Sequence, residues 1–309
     1  MKILLFGANG QLGQTFLLQG GLSTRGDMAA VSRDGALVQA IARGVAGDLS
    51  DLDGIRRLLD NEAPDVIVNA AAYTAVDKAE AEEDLATRIN GEAPGVLGDW
   101  SAKNGSLVIH YSTDYVFSGD ATTPYSPSAI TGPQGAYGRS KLAGETALRL
   151  SGARHMILRT AWVYSPVGHN FLRTMLRLGA ERKELRVVAD QRGTPTPTSL
   201  IVDGTLAAID RYASSSTQKD ELSGTYHLTA SGETTWHGFA EAIFAEAEAC
   251  GLLTRIPRVE AIETSAFPTP AKRPAYSVLD NASFVDTFGM TLPDWRDGLR
   301  ETIRSIARS

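Results

Sequence analysis

The chain has 309 residues, 43% of them hydrophobic and 21% charged, which suits one large α/β unit or two modest domains. A formal charge of −6 gives no basic footprint for nucleic acid, and no stretch reaches the about 18 apolar residues of a membrane span. Met1–Phe6 is too short for a signal peptide or anchor. A single cysteine, Cys250, excludes an internal disulfide. It ends the apolar stretch Ile243–Cys250 and reads as a buried thiol, and a chain without a disulfide framework fits a reducing cytoplasm.

The first half alternates strand-like and helix-like segments. Lys2–Phe6 is an apolar strand followed by a helix over Gln11–Leu18, and Met28–Ser32 is the second strand. Ser50 is placed to cap a helix over Asp51–Asn61, which Pro64 closes before the strand Val66–Val68. A helical stretch, Leu85–Lys103, leads to the strand Leu107–Tyr111, and a helix from about Tyr137 to Leu150 precedes the strand Met156–Arg159. Strands apolar throughout and separated by helices predict a doubly wound, Rossmann-type parallel sheet covered on both faces. Past Ser165 the segments become irregular and prolines cluster, which suggests a smaller C-terminal substrate domain. The expected division is 1–164 for the dinucleotide domain and 165–309 mainly for substrate. A segment near 197–228, with a strand at Gly224–Leu228, returns to the main sheet, and Ser214–Asp220 reads as a surface loop.

Gly7-Ala8-Asn9-Gly10-Gln11-Leu12-Gly13 lies between the first strand and the first helix. Glycines there let the backbone turn tightly and approach a pyrophosphate, while the helix N-terminus presents free N–H groups to that anion. The spacing is G-x-x-G-x-x-G, so a purely structural turn is the competing reading. At the end of the second strand an NAD site would place an acid for the ribose 2′-hydroxyl. This chain offers Ser32 and Arg33, suited to a 2′-phosphate, so NADPH is expected, with NADH as the alternative if Asp34 belongs to that strand end.

Tyr137 and Lys141 are four residues apart and project from one helical face, about 6 Å apart along the axis. The strand ending Tyr111-Ser112-Thr113-Asp114 brings a hydroxyl to the carboxyl edge of the sheet, where ligands bind. Reducing a ketone builds negative charge on oxygen, so a proton must be delivered. A lysine ammonium about 4 Å from a phenol contributes about 4 kcal/mol at an effective dielectric near 20, enough to draw Tyr137 toward working pH. Thr113 is placed to hydrogen-bond the same oxygen.

Together these residues resemble the extended short-chain dehydrogenase/reductase family, in particular its members that reduce 4-keto-6-deoxy sugar nucleotides. The resemblance runs nearly end to end: Leu4–Gly13, Val68–Glu80, His110–Phe117, Tyr137–Glu145, Arg159–Tyr164, Asn170–Leu176, Asp190–Thr196, Tyr226–Thr235, Pro268–Leu279 and Leu292–Trp295. It implies that Thr113, Tyr137 and Lys141 are the catalytic trio, with Tyr137 and Lys141 also facing the cofactor. Gly7, Gly10, Gln11, Leu12 and Gly13 match the pyrophosphate turn, and Asp48 and Leu49 the strand end beside the adenine. Ala71, Ala72, Tyr73 and Thr74 match the loop beneath the cofactor, and Tyr111 lies at a strand end that lines it. Thr113, Asp114, Tyr137 and Trp162 match positions that hold the sugar. Competing structural readings are core packing for Trp162, a turn cap for Asp114 and close packing for Ala70–Ala72. Arg273, in Lys272-Arg273-Pro274, is expected on the substrate diphosphate, a solvated loop arginine being the alternative.

Some members of the family dimerise around magnesium held by surface glutamates. The positions near Gln14 and Arg192 are not glutamate here, so no metal is expected. The oligomeric state is left open. His110, His155, His169, His227 and His237 lack metal-ligand spacing and read as structural. Two alternatives remain. A sugar-nucleotide epimerase or dehydratase uses the same tyrosine and lysine, although related dehydratases carry Asp-Glu where Asp114 is followed by Tyr115. A non-catalytic regulatory subunit of methionine adenosyltransferase also retains the motif.

Overall fold

A computed structural model of the chain describes residues 1–215 and 219–308. The elements run β1 (Lys2–Phe6), α1 (Gln11–Gln19), β2 (Asp27–Ser32), β3 (Arg43–Ala46), α2 (Leu52–Glu62), β4 (Val66–Asn69), α3 (Val76–Ala79), α4 (Glu83–Thr87), α5 (Ala93–Asn104), β5 (Leu107–Thr113) and α6 (Ala136–Leu150). They continue as β6 (Arg154–Thr160), β7 (Val163–Tyr164), α7 (Phe171–Glu181), β8 (Glu184–Val188), β9 (Arg192–Gly193), β10 (Thr196–Pro197), α8 (Thr198–Ser214) and β11 (Gly224–His227). The last are β12 (Thr234–Thr235), α9 (Trp236–Ala249), β13 (Arg258–Ile262), α10 (Ala282–Phe288) and α11 (Trp295–Arg308).

Seven strands form one parallel sheet in the order β11-β6-β5-β4-β1-β2-β3. Alternation along each strand divides the core. Ile3, Leu5, Val68, Ile109 and Leu158 face α1, α8 and α10, where Phe16, Ile201 and Phe284 are fully buried. Leu4, Phe6, Ile67, Val108 and Ile157 face α2, α5 and α6. Each fully buried large apolar side chain stabilises the fold by roughly 1.5–3 kcal/mol, which makes both sheet faces obligatory. A separate cluster joins α7, α9, α11 and the β8–β13 pair through Leu172, Phe239, Phe244, Trp295 and Ile303. The strand order reverses between β1 and β4, opening a crevice at their carboxyl ends.

Several local expectations are corrected. Asp51, not Ser50, caps α2, its side chain accepting from Gly54 N at 2.9 Å, because Ser50 is drawn to Asp48 Oδ1 through both its N–H and its hydroxyl. The stretch Leu85–Lys103 is interrupted by a π-helical turn over Arg88–Glu92, which Pro94 follows within the first turn of α5. The edge strand β3 has only four residues, mostly exposed, and carries no apolar run to announce it. β5 runs on to Thr113. Cys250 is half-buried where α9 ends, rather than enclosed. The loop expected over Ser214–Asp220 lies partly outside the described residues: Ser214 ends α8 and Asp220 is in a turn.

Candidate active site

The glycine turn leads from β1 into α1. Gly7 has φ +79°, and a Cβ there would lie 2.6 Å from Ala71 N and 2.7 Å from the Ala70 carbonyl. A Cβ at Gly13 would lie 2.2 Å from Gly7 O, and one at Gly10 would press on the same oxygen at 3.2 Å. The first turn of α1 has neither a capping side chain nor an acid, which leaves its N–H groups facing the crevice with the positive end of the helix dipole. The turn is braced from both sides. Asn9 donates to Ala36 O (2.8 Å) and accepts from Val38 N (2.9 Å), and buried Gln14 donates to Asn9 O (2.8 Å). Gln11 reaches across to β7, donating to Val163 O at 3.3 Å and accepting from Asn170 at 3.3 Å, while Leu12 packs into the core.

At the end of β2 the Ser32 hydroxyl donates to Ala36 O at 2.8 Å and is therefore partly engaged by its own turn. Asp34 accepts from Ala36 N and from Ser32 with Oδ1, and those hydrogen bonds hold its carboxyl below the usual range. Arg33 is exposed beside them. Asp48 binds the Ser50 N–H and hydroxyl, and Leu49 is buried under the sheet edge. In the loop after β4, Ala71 and Ala72 are half-buried and Thr74 is exposed, while the Tyr73 hydroxyl donates to Glu82 at 2.6 Å. Tyr111 turns away from the crevice: its ring joins the core and its hydroxyl meets Thr205 at 2.7 Å.

Tyr137 stands in the first turn of α6, and long-range contacts hold that turn. Glu80 accepts from Ala136 N at 2.8 Å, and Arg139 makes two hydrogen bonds to Glu83 at 2.8 and 2.9 Å. Two turns further on, Glu145 is fully buried and takes Arg159 of β6 at 2.8 and 2.7 Å, Ser112 at 2.6 Å and Arg149 at 3.1 Å. Burial alone would push its carboxyl up, but Arg159, with Ser112 and Arg149, holds it below its ordinary value. This pair clamps α6 to the sheet.

Thr113, Asp114 and Tyr137 converge. The Thr113 hydroxyl donates to Asp114 Oδ1 at 2.9 Å and is also hydrogen-bonded to the Tyr137 phenol. Tyr115 meets the Tyr137 ring edge-on at 5.6 Å. Asp114 is buried with its Oδ2 lacking a hydrogen-bond partner, and burial, partly offset by Ser277 and Thr113, pushes it up to about 6. Burial pushes Tyr137 up to about 12, with the Asp114 charge adding to it. This corrects the expectation that Lys141 dominates the phenol. Lys141 is itself buried, its Nζ lies 3.4 Å from His110 Nε2, and burial lowers it to about 8. A lysine directed at the sheet does not offset the desolvation of the tyrosine.

Trp162 adopts a left-handed backbone conformation, φ +47°, and stacks on Trp236 with centroids 3.6 Å apart. Glycine is required at 193 because a Cβ would lie 2.4 Å from the Trp162 ring. Arg273 donates to Asp77 Oδ2 at 2.8 Å, so it is paired rather than free in solvent, while its buried Nη1 has no partner. Arg192, near one position considered for a metal ligand, pairs with Glu233 at 2.7 Å.

Sequence reasoning passed over two polar residues beneath the site, Asn69 and Asn90, and read a third, His110, as structural. Asn90, in the π turn, accepts from Tyr73 N and donates to Tyr73 O and to Ser140 Oγ, tying the loop after β4 to α6. The signal was available in the Asn-Gly-Glu-Ala-Pro run inside a helical stretch, since Pro94 cannot donate to an i−4 carbonyl. Asn69 and His110 lie side by side on β4 and β5, and nothing in their spacing marks them.

The RmlD substrate binding domain family matches residues 1–308. The dTDP-4-dehydrorhamnose reductase of Burkholderia thailandensis is 44% identical over 308 residues, covering 99% of each chain. The reductase of the same name from Escherichia coli strain K12 is 42% identical over 306 residues, with 99% of this chain and 98% of that protein covered. Among solved structures, a dTDP-4-dehydrorhamnose reductase from Bacillus anthracis in complex with NADP superposes with a TM-score of 0.84 at 32% identity, covering 98% of this chain and 99% of that one. The chain belongs to the RmlD substrate binding domain family.

Proposed function

We propose that this chain reduces the C4 keto group of dTDP-4-dehydro-β-L-rhamnose to give dTDP-L-rhamnose, with Tyr137 protonating O4. The observation that carries this reading is the convergence of Thr113, Tyr137 and the unpartnered Asp114 oxygen where β5 ends at the carboxyl edge of the sheet. NADPH, when bound, supplies the hydride to C4. The space left by Gly7 and Gly13 and the uncapped start of α1 suit its pyrophosphate, and Arg33 suits a 2′-phosphate. Asp34, the acid that would favour NADH, is hydrogen-bonded within its own turn. Residues 1–164 with the segment near 197–228 hold the cofactor, and most of 165–309 holds the sugar nucleotide.

The proton transfer is favourable even from a phenol raised by burial, because the oxyanion that develops at O4 is a stronger base than a phenolate. Thr113 fixes the phenol oxygen, and the Lys141 charge stabilises the tyrosinate left behind. Asp114 Oδ2 accepts from a sugar hydroxyl, and the free Nη1 of Arg273 donates to the diphosphate. NADPH oxidation measured with a panel of 4-keto sugar nucleotides tests the reading. Turnover fastest with dTDP-4-dehydro-β-L-rhamnose supports it, and no oxidation with any member of the panel contradicts it.

A further inference from the structure

Beneath Lys141 lies a polar chain that the proposed reaction does not use. His110, with no exposed surface, sits on β5 with Nε2 3.4 Å from Lys141 Nζ and Nδ1 3.1 Å from Asn69 Nδ2 on β4. Asn69 is buried too, and its Oδ1 accepts from Ala71 N at 3.3 Å in the loop after β4. That N–H fixes which way the amide points, so Nδ2 is the group offered to the ring. A neutral imidazole has one donor and one acceptor. With Nδ1 accepting from Asn69, the ring hydrogen must be on Nε2, facing Lys141. An Nε2–H meets the lone pair of a neutral amine favourably and the N–H of an ammonium unfavourably.

We propose that Asn69 and His110 are a positioning pair which locks the ring in its Nε2–H form and so disfavours the Lys141 ammonium that the reaction uses, setting the basic limit of activity. The inference rests on the role given to Lys141 above. The titratable groups around Lys141 are His110 from β5 and, from its own helix, Tyr137 and Glu145, of which Glu145 acts in the opposite sense, favouring the ammonium. Glu145 is committed to Arg159, which leaves the histidine contact as the closer influence. Both members of the pair are buried, so it biases Lys141 rather than conducting protons to solvent. Through Ala71 it also links the charge on Lys141 to the loop after β4.

The test has a spectroscopic arm that does not depend on catalysis. Imidazole ¹⁵N shifts of the ¹⁵N-labelled protein at neutral pH should show His110 with hydrogen on Nε2 and a bare Nδ1. Asn69→Asp, which presents only acceptors to Nδ1, should invert that pattern and thereby assign the resonances. An Nδ1–H ring in the wild type, or no inversion in Asn69→Asp, overturns the proposal. In the kinetic arm, His110→Gln can turn its amide oxygen toward Lys141. Gaining a charged hydrogen bond worth about 1.5–3 kcal/mol should move the basic limb of kcat/KM up by ~1–2 pH units. A folded His110→Gln protein with an unmoved limb contradicts the bias on Lys141. If that variant does not fold, the wild-type and Asn69→Asp spectra decide. An Nε2–H ring combined with an unmoved limb would refute the influence on catalysis while leaving the tautomer established.

Discussion

Replacing Glu145 by Gln should destabilise the protein far more than its single lost charge suggests. The Glu145 side chain has 0% exposure and that of Arg159 has 3%, so the guanidinium would remain buried without a counter-charge. Removing one partner of a buried pair costs about 3–5 kcal/mol, against about 0–1 kcal/mol for an exposed one such as Arg177–Glu181. At roughly 2 °C per kcal/mol for a chain of this size, Tm should fall by ~6–10 °C. Urea unfolding followed by tryptophan fluorescence should show a lower midpoint with an unchanged slope. The Glu145 carboxyl is held below its ordinary value in the folded protein, so the unfolded chain binds more protons in the carboxylate range. The stabilisation is therefore complete above the ordinary glutamate value and is lost as pH falls through the lower, folded one, and Glu145→Gln should flatten that acid limb. Glu145→Leu combined with Arg159→Met should recover much of the loss. A single-variant loss below about 1 kcal/mol would refute the reasoning.

Tyr137→Phe should reduce kcat by about 10²–10⁴-fold with NADPH affinity nearly unchanged; more than about a third of wild-type kcat would remove the tyrosine from the proton-donor role. Arg33→Ala should raise KM for NADPH roughly ten- to a hundredfold more than KM for NADH, and equal effects on both would place the 2′-phosphate elsewhere. Competitive inhibition by dTDP should weaken by about 1.5–3 kcal/mol in Arg273→Ala with NADPH binding preserved, whereas identical inhibition constants would confine Arg273 to its pair with Asp77. Because Asp114 titrates at about 6, KM for the sugar nucleotide should rise as pH falls through that value and its carboxylate acceptor is lost; a flat KM from pH 5 to 7 would remove the carboxylate from substrate binding.

The parallel sheet was legible because its central strands are apolar on both faces, and the glycine turn because Gly7 and Gly13 stand where backbone crosses backbone. Tyr137, Lys141, Thr113 and Asp114 were legible from helical spacing and a strand end. The supports beneath them were not. Asn69 and His110 meet only through the register of β4 against β5, and Glu80 reaches Ala136 across 56 residues. The balance at Tyr137 escaped for a related reason: spacing places Lys141 on the same helical face, but burial and the direction of the ammonium decide what it does. β3 was missed because an exposed edge strand needs little apolar content.

The central claim, that hydride is transferred to C4 and the cofactor leaves oxidised, is tested most directly by deuterium transfer. The chain should be supplied with NADPH deuterated at the transferable position and with dTDP-4-dehydro-β-L-rhamnose, and the product read by NMR. The account predicts dTDP-L-rhamnose carrying deuterium at C4, with one NADP+ formed per product. Turnover of the sugar with no net NADP+ and no deuterium retained would identify a cofactor-recycling epimerase instead, and would contradict the account.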